Sequence, residues 1–122
     1  MSDSKKLMVV DDDEIFVYLI KSIAKNLSTK IEISTAKNGK EAIQRLSESV
    51  PDILLLDLNM PVMNGWKFLE SLGDQSVPYH LYVVSSSIDP EDRRMAEEKE
   101  QVAGFIEKPV TREILENMLK KD

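Results

Sequence analysis

The stretch KLMVVDDDEIF, residues 6–16, sets three consecutive aspartates directly behind four apolar residues. A run such as LMVV, apolar without alternation, suits a strand covered on both faces, and strands of that kind belong to parallel sheets flanked by helices. The charges then fall at the strand's carboxyl end. In a doubly wound sheet, right-handed crossovers bring the carboxyl ends of all strands to one edge. Acids ending this strand are therefore expected to meet whatever ends the others.

Strands are predicted over residues 6–10, 31–36, 53–58, 81–85 and 104–107, with amphipathic segments between them. Phe16, Leu19, Ile20, Ile23, Ala24 and Leu27 form one apolar stripe, and Ala42, Ile43 and Leu46 a second. A third helix follows Asn64 as N-cap, with Trp66, Leu69 and Leu72 available for packing. The last follows Thr111 and carries Ile114, Leu115, Met118 and Leu119. The segment DPEDRRMAEEKEQ, residues 89–101, opens with Asp89 as cap and Pro90 at the first helical position, yet offers little apolar surface beyond Met95 and Ala96. It is expected to be loosely held, either a candidate moving part or an ordinary solvated surface helix. The fold class that follows is α/β, a doubly wound five-stranded parallel sheet with helices on both faces. One domain over residues 6–122 is expected behind a loose tail at 1–5, since the chain has no repeat, linker or low-complexity tract.

Composition narrows the function. A chain of 122 residues buries roughly 65–70% of its unfolded surface, enough for a core without staples. With no cysteine, disulfides and thiolate metal sites are excluded, in keeping with a cytoplasmic location. Sixteen basic and 22 acidic residues give a net charge of −6, which argues against direct nucleic-acid binding. The longest apolar runs, such as ILLLDL at 53–58, are too short to span a bilayer, and MSDSKK is followed by no signal-peptide core. His80, the only histidine, is expected in a loop just ahead of a strand, away from the acids, and leaves no zinc site of the usual kind.

The predicted strand ends bring Asp11 and Asp12, Asp57, Ser85 and Lys108 to one edge. Two unit charges about 4 Å apart repel by about 4 kcal/mol at an effective dielectric near 20. Clustered carboxylates therefore raise one another's pKa or recruit a cation. Mg²⁺ suits such a site, because it takes a few carboxylate or carbonyl oxygens, keeps waters and also binds a phosphoryl oxygen.

VVDDDE, LLLDLNMPVMNG, VVSSS and FIEKP, in this order and at these separations, resemble the receiver domain of two-component response regulators over nearly the whole chain, in the manner of stand-alone chemotaxis regulators. The resemblance implies the flavodoxin-like strand order 2-1-3-4-5. It implies that Asp57 is the phosphoacceptor, taking a phosphoryl group from a sensor histidine kinase or histidine phosphotransfer protein as an acyl phosphate. It matches Asp12 to the direct Mg²⁺ ligand, Asp11 to an acid acting largely through water, and Asn59 to a ligand through its backbone carbonyl. Lys108 matches a lysine that pairs with Asp57 before transfer and with the phosphoryl oxygens afterwards. Ser85 matches the hydroxyl that moves toward the phosphoryl group, and Phe105 the aromatic switch that follows it. Asp13 falls at the start of the first helix as its cap. By the same resemblance the Lys108–Pro109 peptide is cis, whereas residue identity alone favours trans. Asn64 and Ser86 depart from the commonest residues of the family while keeping a capping oxygen and a small side chain. Asn59 and Ser87 flank the entrance, where they set access of water to the acyl phosphate.

The function expected is a phosphoacceptor switch, not an enzyme with an external substrate, signalling to a downstream protein through its fourth helix, fifth strand and fifth helix as a monomer or weak dimer. An aspartyl-phosphate hydrolase is the alternative from another class, but Asn59 stands where such enzymes carry a second acid. A module that has lost phosphorylation is a third, against which the complete set of site residues argues.

Overall fold

The structure is a computed structural model that describes residues 4–73, 77–87 and 89–120. Its elements alternate throughout: β1 (Lys5–Val10), α1 (Glu14–Lys25), β2 (Ile31–Ala36), α2 (Gly39–Glu48), β3 (Ile53–Leu56), α3 (Gly65–Ser71), β4 (His80–Ser85), α4 (Pro90–Glu97), β5 (Val102–Glu107) and α5 (Arg112–Lys120). The five strands pair in parallel in the order β2-β1-β3-β4-β5. This is the doubly wound sheet and the strand order expected.

Side chains of successive strand residues point to opposite faces, which divides the core into two layers. Met8, Val10, Leu54, Leu56, Leu81 and Val83 face one way and pack with Ala42 of α2, Phe68 and Leu69 of α3, and Ala96 of α4. Leu7, Val9, Leu55, Tyr82 and Val84 face the other and pack with Phe16 and Ile20 of α1 and with Leu115 and Met118 of α5. β1, β3 and β4 are buried almost throughout, so their apolar runs are answered by cover on both faces.

The caps are as the residue types dictate. Asp13 accepts from the Ile15 and Phe16 N–H groups, Asn64 from Lys67, Asp89 from Glu91 and Thr111 from Ile114. Boundaries differ by one or two residues. β1 begins at Lys5, paired with Ile31, which draws this residue out of the expected tail; residues 1–3 of that tail lie outside the described residues. β3 ends at Leu56, two residues early, and His80 opens β4 opposite Ile53 instead of preceding it. Leu19 and Ile43, both placed on apolar stripes, are 48% and 39% exposed. Helix periodicity alone admits each to the stripe, but each helix rests on a single layer and buries a narrower arc.

β5 starts two residues earlier than predicted, at Val102, because a bulge interrupts its pairing: Leu81 lies opposite Val102 and Tyr82 opposite Gly104. The extra residue, Ala103, turns Val102 and Phe105 to the same face, toward α4. Gly65 marks another close approach. A Cβ there would stand 2.4 Å from the Asp57 carbonyl oxygen and 2.8 Å from the Leu58 Cα, both backbone atoms. Gly65→Ala is therefore expected to destabilise the fold by at least about 1–3 kcal/mol, lowering the urea midpoint; an unchanged midpoint would show that the β3–α3 connection yields freely.

Candidate functional site

The site is built where β1, β3, β4 and β5 leave the sheet. Hydrogen bonds from the Asp11 N–H to Ala36 O and from the Asp57 N–H to Val10 O, both 2.9 Å, carry the ladder one residue past each strand and fix both acids at its edge. The carboxylates of Asp11, Asp12 and Asp57 offer oxygens that all lie within 4.8 Å of one another. Asp11 and Asp57 are buried, whereas Asp12 is open to solvent. The strand-end reading of the sequence thus brings these three together.

Their proximity has an electrostatic cost. Burial, first, and the Asp11 carboxylate, second, push the Asp57 carboxyl up to about 6 from an ordinary 3.8; Lys108 and the backbone N–H of Asn59 pull it back, and Asp12 adds a smaller upward push. Such a cluster fits a hard cation through the chemistry of its donors, which are all carboxylate oxygens.

Lys108 enters from the segment after β5, anchored by its N–H to Ser85 O at 2.8 Å and followed by a cis peptide to Pro109. Its ammonium lies 2.8 Å from Asp11 Oδ2 and 4.4 Å from the centre of the Phe16 ring. Asp11, not Asp57, is thus its ion-pair partner, a correction to the resting arrangement that the resemblance implies. The reason is local: Asp11 Oδ2 is buried with no partner besides this ammonium, its other oxygen accepts from the Asp13 N–H, and the Phe16 ring forms the other wall.

Ser85 is fully buried at the end of β4, two residues past Val83, which pairs with Leu56, and it is itself paired with Glu107 of β5. Its Oγ accepts from the Ser87 N–H at 3.0 Å. Ser87, expected at the entrance, spends its own hydroxyl on α4, donating to Asp92 Oδ2 at 2.7 Å and accepting from the Asp89 N–H at 3.2 Å. Phe105 is buried beneath the guanidinium of Arg93, 5.5 Å from the ring centre. Asn59 is exposed on the loop after Asp57, and His80 sits at the opposite end of β4 from the acids.

Residue patterns missed three features here: Phe16 as a wall of the lysine pocket, the tie from Ser87 to α4, and Val62. This β-branched residue, 80% exposed, adopts φ 65° where Met63 N–H closes a tight turn onto Pro61 O at 2.7 Å. For Phe16 the only available signal was an aromatic residue four positions after Asp12, which reads equally well as core.

Among the described residues no helix is long and apolar enough to cross a membrane. Residues 7–120 match the family model described as response regulator receiver domain. The chain is 33% identical over 108 residues to response regulator PleD of Caulobacter vibrioides, covering 88% of this chain and 23% of that protein. A protein-glutamate methylesterase/protein-glutamine glutaminase of Bacillus licheniformis is 39% identical over 84 residues, 66% of this chain and 22% of the relative. The chain thus spans about a quarter of the length of these curated relatives. Among solved structures, a two-component response regulator from Cytophaga hutchinsonii superposes with a TM-score of 0.84 at 29% identity, covering 97% of this chain and 95% of that one. The phosphorylated cyanobacterial phytochrome response regulator RcpA superposes at 0.76 with 28% identity, covering 96% and 89%. With the sheet order, the acid cluster at its edge and these matches in agreement, the chain belongs to the response regulator receiver domains of two-component systems, whose general function is that of a phosphoacceptor switch.

Proposed function

We propose that Asp57 is the phosphoacceptor of this receiver and that a histidine kinase or histidine phosphotransfer protein is its donor. The observation that carries this reading is the gathering of Asp57 with Asp11 and Asp12 inside 4.8 Å, with an ammonium at Asp11. A carboxylate oxygen of Asp57 attacks phosphorus, the P–N bond of the donor phosphohistidine breaks with its electron pair staying on the imidazole, and an acyl phosphate forms. Asp57 is largely ionised at neutral pH, as a nucleophile must be, despite its raised pKa of about 6. Asp11, Asp12, Asp57 and the Asn59 backbone carbonyl would hold Mg²⁺, which supplies charge neutralisation for the incoming phosphoryl group. Lys108 turns from Asp11 to the phosphoryl oxygens, and the Ser85 hydroxyl donates to one of them while its oxygen still accepts from the Ser87 N–H. The test is mass spectrometry after acetyl phosphate treatment with and without Mg²⁺. A phosphoryl group on a residue other than Asp57, or the same yield without the ion, refutes the assignment.

The output surface is α4, β5 and α5, contacting a downstream protein. The contacts that support it converge on consecutive residues of α4: Ser85 reaches Asp92 through Ser87, and Phe105 lies under Arg93. α4 is held to the core by little else, with Ala96 its only buried residue, so a shift at either end moves it at low cost.

The donor's resting place is supported by α1. Ile15, Tyr18 and Leu19 stand 73%, 68% and 48% exposed at i, i+3 and i+4, beside a cleft of about 300 Å³ that Asp11, Asp12 and Tyr18 also line. A donor protein reaching Asp57 covers this stripe. Ile15→Ala with Tyr18→Ala is expected to slow transfer from a phosphohistidine protein about tenfold while leaving phosphorylation by acetyl phosphate unchanged. Equal loss with both donors would mean that the stripe supports the fold and not docking.

A further inference from the structure

The side chains around Lys108 close into a circuit. Asp11 Oδ1 accepts from the Asp13 N–H at 2.9 Å, and Asp13 Oδ1 accepts from the Phe16 N–H at 3.2 Å, which sets the first turn of α1. The Phe16 ring, 6% exposed and packed with Ile20 and Leu115, lies 4.4 Å from the Lys108 ammonium, and the ammonium lies 2.8 Å from Asp11 Oδ2. Both oxygens of Asp11 are thereby committed. The Lys108 side chain is 15% exposed, so the ring's attraction for the ammonium is only weakly screened by water.

From this we infer that Phe16 is a positioning residue: its ring seats the Lys108 ammonium on Asp11 in the metal-free protein, so that lysine and divalent cation compete for one carboxylate. The inference rests on the reading of Asp11, Asp12 and Asp57 as the metal site. It follows from charge balance, since two acids buried side by side need a positive charge whether or not an ion is bound. Lys108 supplies that charge at rest, and the ring lowers the free energy of the arrangement that excludes the ion. Entry of a cation releases the ammonium from Asp11 and leaves it free to meet a phosphoryl group. The aromatic face thus sets how strongly metal binding and lysine release are coupled.

The test is Mg²⁺ binding itself, measured by chemical-shift titration with Mg²⁺ alone and no phosphodonor. Phe16→Leu keeps an apolar side chain but removes the π face, and it is expected to tighten Mg²⁺ binding about three- to tenfold. Phe16→Tyr restores the wild-type affinity. In a Lys108→Met background, Phe16→Leu has no further effect, because the competitor is gone. The inference is overturned if Phe16→Leu binds Mg²⁺ as the wild type does, or if its effect persists without Lys108, which would indicate repacking. Absence of Mg²⁺ binding by the wild type would instead overturn the metal-site reading, and this inference with it.

Discussion

Asp57→Asn is expected to reduce Mg²⁺-dependent phosphoryl incorporation from acetyl phosphate to background while the fold remains intact. The amide oxygen that replaces the carboxylate is a poor nucleophile and leaves no anion to attack phosphorus. Neither neighbouring acid offers a substitute: Asp11 is buried, with one oxygen held by the Asp13 N–H and the other by Lys108, and Asp12 is exposed and lacks the ammonium. The measurement is intact-mass spectrometry at matched times, with circular dichroism as the control for folding. Incorporation near the wild-type level would remove Asp57 from the mechanism.

The same substitution is expected to stabilise the metal-free protein at neutral pH. A carboxyl whose pKa is about 6 in the folded chain against 3.8 in the unfolded one binds protons more tightly when folded. Stability from this group is therefore greatest below about pH 4, falls as pH rises through the interval to about 6, and stays low above it. Its ionised form costs the fold about 3 kcal/mol, the value of a pKa displacement of this size. Asp57→Asn carries no charge and escapes that cost. In a chelating buffer at pH 7 its unfolding free energy should exceed that of the wild type by up to about 3 kcal/mol, and the two should converge toward pH 4. Excess Mg²⁺ should also narrow the gap, because the ion binds the folded wild type more tightly than the variant. Denaturant unfolding at pH 4 and 7, with and without Mg²⁺, gives all the comparisons. A variant less stable than the wild type at pH 7 would mean that Asp57 contributes more through its contacts than its charge costs. Together the two results separate chemistry from folding, since an inactive protein of raised stability cannot be inactive through unfolding.

The architecture was legible because the signals that encode it are local. Apolar runs at residues 53–56 and 81–85 require cover on both faces, Asp13, Asn64, Asp89 and Thr111 cap the helix that follows each of them, and the acids behind Val10 and Leu56 mark strand ends. Parallel winding then forces those ends to one edge, so the meeting of Asp11 and Asp12 with Asp57 is implied by the order of residues alone.

The partner of each polar group at that edge could not be read in the same way. Lys108 has a long, flexible side chain, and both Asp11, its partner, and the Phe16 ring beside its ammonium come from the far end of the chain. The bulge at Ala103 turns Phe105 toward Arg93, yet in VAGF, residues 102–105, the apolar pattern on either side of the break is too short to reveal the shift in alternation. Ser87 looks like any loop serine until Asp92 lies 2.7 Å from its hydroxyl. Backbone periodicity and capping arise from neighbours along the chain, so they are written in the order of residues. The ion pair of Lys108 with Asp11 and the seat of its ammonium on the Phe16 ring join residues far apart in that order, and their geometry exists only once α1 and the segment after β5 have packed against the sheet.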